Sequence, residues 1–484
     1  MGICCSNTSI KRVIDNDTAR KTLKITAQTF VKESTQQLLE VYKVGNIIGT
    51  GTYGEVRLVT HKETNQQRAM KVFRKNTSKI QKEKIRNEIG ILKNLDHPNI
   101  IRMFEYFEDT HKIYLIMEKC EGGELYEYIL KQNSFSEFEA ANIIKQLLSA
   151  LAYLHENKIV HRDIKPENIL FEETHLSPNI KLIDFGIATK FFPGSFFKEP
   201  VGTVYYISPE VISEKYTEKC DMWSCGILAY MILCGEVPFD GNSDIEIIKS
   251  IQTKNISFNQ AIWLQNSIES RDFILKLLCP ENIRMTALQA LNHPWITNIE
   301  IPSPCKEAYT STLTALKTFN NNNKLKEAIR TFIVTQCTTI TETKELKKIF
   351  KAIDKNSDGK ISKNELSLYY SRFFNSEKSD EEVSEIMAKL DKGNTGFINY
   401  TEFIKACVSD SIVLKKENLK AAFNKFDMQR SGKISTKEIK AILQDEEIYE
   451  ENVWNGIMKE CDRNNDGVVD FEEFCDLFFR ENKG

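Results

Sequence analysis

Residues 161–168 read His-Arg-Asp-Ile-Lys-Pro-Glu-Asn. The run sets a carboxylate, a cation and a carboxamide within a few residues of one another. Asp163 can orient a hydroxyl and accept its proton, Lys165 can neutralise charge on a transferred γ-phosphoryl group, and Asn168 can ligate Mg2+. Asp184, in Asp-Phe-Gly, adds a second oxygen ligand of the kind this hard cation takes. Upstream, Gly49-Thr50-Gly51-Thr52-Tyr53-Gly54-Glu55-Val56 follows one predicted strand and opens another. Glycines let a backbone approach phosphates without a Cβ in the way. A strand rather than a helix follows, which argues against a dinucleotide-binding unit. Lys71, in Ala69-Met70-Lys71-Val72, can pair with α/β-phosphates and with Glu88 on the next helix. Together these are the parts of a phosphoryl-transfer centre.

A second chemistry follows. A calcium loop of the helix–loop–helix type offers oxygens at positions 1, 3, 5, 7, 9 and 12, with Gly at 6 for the bend. Residues 354–365 supply Asp354, Asn356, Asp358, the Lys360 carbonyl, Ser362 and Glu365 around Gly359. Residues 462–473 supply Asp462, Asn464, Asp466, the Val468 carbonyl, Asp470 and Glu473 around Gly467. The run 427–438 is poorer in carboxylates, with Asp427, Gln429, Ser431, the Lys433 carbonyl, Ser435 and Glu438, and is expected to bind more weakly. The run 391–402 offers Asp391, Thr395, the Phe397 carbonyl, Asn399 and Glu402, but Gly393 at position 3 has no side-chain oxygen. Whether this second loop binds is left open by its sequence. The four loops start 37, 36 and 35 residues apart, each with Ile or Val at position 8. Apolar residues at helical spacing precede them, as in Leu346, Ile349, Phe350 and Ile353 before the first. Such a repeat is one supersecondary unit copied.

The elements that must position these residues fall into blocks. Residues 42–118 hold short β-type runs interrupted by a helical pattern at 78–94, and residues 124–296 are mostly helical by periodicity. Residues 297–340 contain two prolines, then Thr-rich and Asn-rich stretches, and read as a boundary. At 484 residues the chain is too long for one core. Its 41% hydrophobic and 27% charged residues are ordinary for a globular protein, and a net charge of −3 gives no argument for nucleic acid as a partner. Twelve cysteines without metal-ligand spacing suit a reducing, cytoplasmic setting. The longest apolar run, Trp223 to Cys234, is too short to span a bilayer, which takes about 20 residues.

Residues 1–41 are polar and weakly periodic and read as a flexible tail. The tail opens Met-Gly-Ile-Cys-Cys-Ser, a pattern for myristate on Gly2, with Cys4 and Cys5 as neighbouring acceptors for palmitate. One myristoyl chain binds a membrane only marginally, so peripheral anchoring calls for the second lipid.

Residues 42–296 carry their motifs in the order and spacing of a eukaryotic protein kinase domain, with Ser208 in place of the usual Ala of Ala-Pro-Glu. This part of the chain resembles that family. The resemblance implies an α+β bilobal fold and Ser/Thr specificity with ATP and Mg2+ as cofactors. It places Ile48, Val56 and Ala69 in the nucleotide site with the glycines, makes Met117 the gatekeeper, and puts Glu118 and Cys120 at the adenine-binding hinge. It makes Glu124 and Glu167 acceptors for basic residues of a protein substrate. It assigns scaffold roles to Asp221 and Arg284, and lets Glu199, four residues before Thr203, stand in for an activation-loop phosphate opposite Arg162.

Taken whole, the chain resembles the calcium-dependent protein kinases of plants and protists. That resemblance implies an all-α domain of four EF-hands at 341–484 and a junction at 297–340. At low calcium the junction is expected to block the substrate cleft, with Lys306, Lys317, Lys324 and Lys326 facing Glu124 and Glu167. Two rival readings stay open here. One is a catalytically inactive calcium sensor or scaffold; the other is a constitutive kinase whose EF-hands only locate it.

Overall fold

Apolar runs between residues 42 and 117 build the first layer. In the computed structural model of the chain they form a five-stranded antiparallel sheet in the order β1-β2-β3-β5-β4. Its strands are β1 Tyr42–Gly51, β2 Gly54–His61, β3 Gln67–Arg74, β4 Met103–Glu108 and β5 Lys112–Met117. The model describes residues 23–34, 36–51, 54–75, 78–132, 135–174, 179–298, 306–319, 323–374, 379–391, 393–444 and 449–479. The central strand β3 is buried on both faces, from Arg68 to Phe73. One face meets Tyr42, Val59 and Phe107; the other joins the main core beneath the helix Lys79–Leu92, whose N-terminus Ser78 caps by accepting from the Gln81 N–H at 3.3 Å.

The second layer is helical. Glu137–Glu156 starts at a capping box in which Ser136 and Glu139 satisfy each other's backbone N–H groups. Lys219–Cys234 is buried almost all round and stops at Gly235, whose φ of 80° is open to glycine at little cost. No helix among the described residues is long and apolar enough to cross a membrane. Between the lobes, the hairpin Ile169–Phe171 with Ile180–Leu182 carries the catalytic loop on one side and Asp184 on the other.

A separate apolar core fills the C-terminal half. The four loops pair two by two through short strands, Lys360–Ser362 with Phe397–Asn399 and Lys433–Ser435 with Val468–Asp470. The position-8 residues Ile361 and Ile398, and Ile434 and Val469, face one another across these strands and are fully buried. That is why each loop carries a β-branched residue there.

The junction runs as Lys306–Thr318, then Lys324–Phe332 continuing into a wider turn, Ile333–Cys337. Leu313, Leu316, Leu325 and Ile329 are buried among the EF-hand helices. Three of the four basic residues expected to face the substrate site are engaged elsewhere in this conformation. Lys317 pairs with Glu382 at 2.5 Å, Lys324 with Glu327 at 3.2 Å, and Lys326 lies over the Phe478 ring. The physical reason is the amphipathic pattern of 324–332: its apolar stripe finds a groove between EF-hand helices.

The end of that helix is sealed by the small lobe. Helix C-termini leave carbonyls unpaired. Here Arg102 donates to the Thr335 carbonyl at 3.5 Å, Arg68 to that of Gln336 and Gln66 to that of Cys337. Cations at a helix C-terminus are favoured by its dipole as well. The following helix Ile340–Ile353 brings lysines onto kinase carboxylates. Lys347 makes a two-pronged pair with Glu172 at 2.7 and 2.8 Å, both side chains about 95% buried, and Lys344 meets Glu173 at 2.6 Å. Lys181 reaches both Glu172, at 3.6 Å, and Glu118, just after β5, at 2.7 Å, so the docking face of this helix runs on to the end of the sheet. The first calcium loop touches the kinase directly. Gly359 lies so close to His97 that a Cβ there would sit 2.2 Å from the ring, while Lys360 pairs with Glu156 at 2.9 Å. Asp96 accepts from the Thr401 N–H and hydroxyl at 3.1 and 2.8 Å, capping the helix that leaves the second loop.

The acylation pattern at Gly2, Cys4 and Cys5 lies outside the described residues. Leu23–Val41, read from sequence as part of a flexible tail, is packed instead. Leu23, Ile25 and Phe30 are buried in the sensor core, and Glu33 bridges to Tyr106 on β4. The local sequence is polar, and its few apolar side chains find places only in tertiary packing: Leu23, Ile25 and Phe30 in the sensor core, Val31 in the main core, and Leu38 and Val41 against the sheet.

Candidate catalytic centre and calcium loops

The backbone of the catalytic loop is held by a carboxylate from the buried helix below it. Asp221, fully buried, accepts from the His161 and Arg162 N–H groups at 2.9 and 2.8 Å and from His155 at 2.9 Å. This lets Arg162 keep a left-handed φ of 68°. Three hydrogen bonds offset the burial of that charge and hold its pKa below the carboxylate range. Arg284 binds both oxygens of Glu210 at 2.9 and 3.0 Å and anchors the far end of the activation segment.

Asp163 emerges from this loop with each of its carboxylate oxygens engaged. Oδ2 meets Lys165 at 2.8 Å and the Asn168 amide at 2.9 Å; Oδ1 accepts from the Thr203 hydroxyl at 2.9 Å. Lys165 also donates to Thr203 at 3.0 Å. Thr203, in the activation segment, is named in the sequence reading only as a position four residues after Glu199 and is given no role there. Its only signal there was its place five residues before Ser208-Pro209-Glu210.

Lys71, on β3, bridges Glu88 at 2.7 Å and Asp184 at 3.1 Å. Burial opposes charge on this lysine, but the two carboxylates outweigh it and raise its pKa above the ordinary value. Asp184 is held below its ordinary pKa by Lys71 despite burial. Gly54 at the start of β2 leaves no room for a side chain, since a Cβ would stand 1.9 Å from the Val72 carbonyl. Ile48 on β1 is half exposed, while Ala69 on β3 is buried and pairs across the sheet with Met117. Val56 is opposite both Gly49 and Lys71; Gly51 ends β1. Glu118 accepts from the Arg102 N–H, just ahead of β4, at 3.4 Å, and burial raises the pKa of Cys120. Thus Ile48, the glycines, Val56, Ala69 and Met117 lie on neighbouring strands of the sheet, and Lys71 on the central strand reaches Asp184.

Glu124 and Glu167 stand near enough to affect one another. Burial, Glu127 and Glu167 together raise the pKa of Glu124. One buried Glu167 oxygen has no hydrogen-bond partner. A guanidinium would satisfy both carboxylates. At Glu199 the contact is loose: its carboxylate lies 3.9 Å from Arg162 and is 80% exposed.

The residues fit Mg2+ by their donors. Asn168 spends its amide hydrogens on Asp163, which keeps its carbonyl oxygen out of those bonds, and Asp184 keeps one oxygen beyond the Lys71 contact. Oxygen donors of this kind suit that ion.

Each calcium loop is folded around its first Asp. Asp354 accepts from the Asp358 and Gly359 N–H groups at 3.1 and 2.9 Å, and Asp391, Asp427 and Asp462 repeat the pattern with Gly396, Gly432 and Gly467. Position 4 takes a positive φ in every loop, at Ser357, Asn394, Arg430 and Asn465. Position-12 carboxylates turn back onto the loop, with Glu365, Glu402, Glu438 and Glu473 accepting from the position-9 N–H at 2.8–3.1 Å. No cluster of three or more carboxylate, His or Cys side chains closes on one point among the described residues; amide, hydroxyl and carbonyl oxygens make up the rest of these sites. In the first loop, burial and the charges of Asp358 and Glu365 push the Asp354 pKa well up. A dication relieves that crowding, so the donor set fits calcium. In the second, the Glu402 carboxyl is raised to about 7 by burial, and Thr395 turns its hydroxyl to Asp391 at 3.1 Å where Gly393 offers nothing.

Comparison with known proteins agrees with both halves. A protein kinase domain model matches residues 42–296, and an EF-hand domain pair model matches residues 343–408 and 416–479. Calcium-dependent protein kinase 4 of Plasmodium berghei (strain Anka) is 37% identical, covering 98% of this chain and 93% of its own. Its namesake in Plasmodium falciparum (isolate 3D7) is also 37% identical, over 97% and 92%. Calcium-dependent protein kinase 5 of Plasmodium falciparum is 36% identical, over 92% and 79%. With a kinase centre and paired calcium loops in one polypeptide, and relatives matched along nearly its whole length, the chain belongs to the calcium-dependent protein kinase family and is a calcium-regulated Ser/Thr protein kinase.

Proposed function

We propose that the chain transfers the γ-phosphate of ATP to Ser or Thr hydroxyls of proteins bearing basic residues near the target. In this reading calcium at its own EF-hands withdraws the junction from the substrate cleft. The observation that carries it is the pairing of two states in one molecule: the Lys71–Glu88–Asp184 and Asp163–Lys165–Thr203 contacts are assembled while the junction lies among the sensor's helices. Bound Mg2+, held by Asn168 and Asp184, supplies charge neutralisation for the phosphates. Asp163 orients the attacking hydroxyl and takes its proton; Thr203 and Lys165 fix the carboxylate that does so. Lys71 positions the α/β-phosphates, and its pairing with Glu88 ties that position to the helix Lys79–Leu92. Glu124 and Glu167 receive a basic side chain of the substrate. Catalysis of this kind is positioning and electrostatics.

At low calcium, in this proposal, the junction lies over the cleft and its lysines meet Glu124 and Glu167. Myristate on Gly2 and palmitate on Cys4 and Cys5 hold the enzyme at a membrane facing the cytoplasm. A phosphorylation assay on a basic peptide, with calcium and with EGTA, tests the core of this reading. Activity with calcium and little without supports it; equal activity in both points to a constitutive kinase, and none in either to a scaffold.

A further inference from the structure

The segment ahead of the kinase is bound to both helices of the third EF-hand. Phe30, 1% exposed, meets Phe332 edge-on at 5.3 Å and Phe426 at 6.3 Å. Phe426 ends the helix Lys416–Phe426 and immediately precedes Asp427, the first ligand position of the third loop. Two residues along, Lys32 donates to the Ile442 and Gln444 carbonyls at 2.6 and 3.1 Å. Those carbonyls close the C-terminal end of the helix Thr436–Leu443, whose first turn holds Glu438, the loop's last ligand position. The same segment then joins β4, with the Ser34 N–H donating to the Tyr106 carbonyl at 2.8 Å. Glu40 reaches Arg430 within the loop at 3.5 Å, and Lys425 meets Glu105 of the small lobe at 3.4 Å.

Calcium changes the angle between the two helices of a sensor EF-hand. A ligand that grips the end of each helix fits one angle only. The third loop carries only two carboxylates, Asp427 and Glu438, as few as the second and fewer than the first and fourth. We infer that residues 23–34 are an intramolecular ligand of the third EF-hand, and that Phe30 and Lys32 set the calcium affinity of its loop. The segment is engaged in the conformation that the proposed function assigns to the calcium-bound sensor, with the junction among its helices; binding free energies of two ligands on one protein are reciprocal, so calcium at the third loop tightens the segment and the segment tightens calcium. This rests on the reading that the third loop takes calcium.

Calorimetric calcium titration of the full chain tests it, with hydrogen exchange of residues 23–34 as a second readout. Phe30→Ala is expected to weaken one class of sites by about three- to tenfold, as a modest coupling between sites does, and to leave the remainder unchanged. Lys32→Met, which cannot create a cavity in the core, should weaken the same class. Amide protection of residues 23–34 should rise with calcium in the natural chain and not in Glu438→Gln. If Glu438→Gln leaves the isotherm unchanged, the third loop is not a site and the reading beneath the proposal fails. If Glu438→Gln removes a site but both Phe30→Ala and Lys32→Met give the natural isotherm, the proposal itself is overturned.

Discussion

Asp163 is fixed by neighbours on both of its oxygens, and each contact asks for a different test. Asp163→Asn removes the proton acceptor and should lower turnover by about 10²–10⁴-fold, the usual worth of such a group. Calcium binding measured by calorimetry should be unchanged, and more than a few per cent of natural turnover would refute the assignment. Thr203→Val removes two hydrogen bonds but no charge. At about 1 kcal/mol for each contact, about 2 kcal/mol for both, kcat should fall roughly thirtyfold with the KM for ATP unaltered. Asp163, Lys165, Asn168 and Asp184 were legible because one local motif, or a fixed tripeptide, carries each. Thr203 was not, since its role comes from a fold that lays residue 203 over residue 163. The second calcium loop shows the same limit. Sequence left it open because Gly393 lacks an oxygen; the loop nevertheless folds like the others, because Asp391 and Gly396 make the turn without help from position 3.

At the scale of elements, the helix Ile340–Ile353 joins the sensor to the hinge. Lys347 and Lys181 hold Glu172 down to about 2 against the cost of its burial. Lys347→Met leaves that carboxylate buried with only the longer Lys181 contact. Breaking a buried pair from one side costs about 3–5 kcal/mol in general; with Lys181 still present, the loss should fall at or below the lower end. The docked arrangement pays this, so the calcium needed for half-maximal activity should rise. Adding Glu172→Gln removes the stranded charge and should restore most of the response; a double variant no better than the single one would show that the pair does not act as a unit. The four helix–loop–helix units were readable from their 35- to 37-residue spacing. The packing of Leu23–Val41 was not, because periodicity reports only on neighbours in sequence, and the partners of Phe30, for example, are Phe332 and Phe426.

For the whole molecule, the catalytic and sensing halves share a wide, charged seam. Truncation near residue 298 removes the junction and should give a kinase that ignores calcium. It also strips Arg68 of the Gln336 carbonyl and Glu172 of Lys347, so its melting temperature should lie below that of the calcium-loaded full chain. A truncated kinase no more active in EGTA than the intact protein would sink the model of a blocking junction. Glu365→Gln with Glu473→Gln should leave the enzyme off at any calcium concentration that activates the natural chain. Gly2→Ala should move it from the membrane fraction to the soluble one, and unchanged fractionation would count against the lipid anchor. The seam also bears on how the gene can drift. All four position-6 glycines have φ near 80°, a conformation that asparagine tolerates. Around Gly396, Gly432 and Gly467 there is open space, whereas at Gly359 any side chain meets the His97 ring. Three of these codons can therefore wander to asparagine within a working calcium loop, while the fourth is pinned by a residue on another domain. A Gly359→Asn allele would separate calcium sensing from kinase docking, and a compensating change at position 97 is where its suppressors should arise.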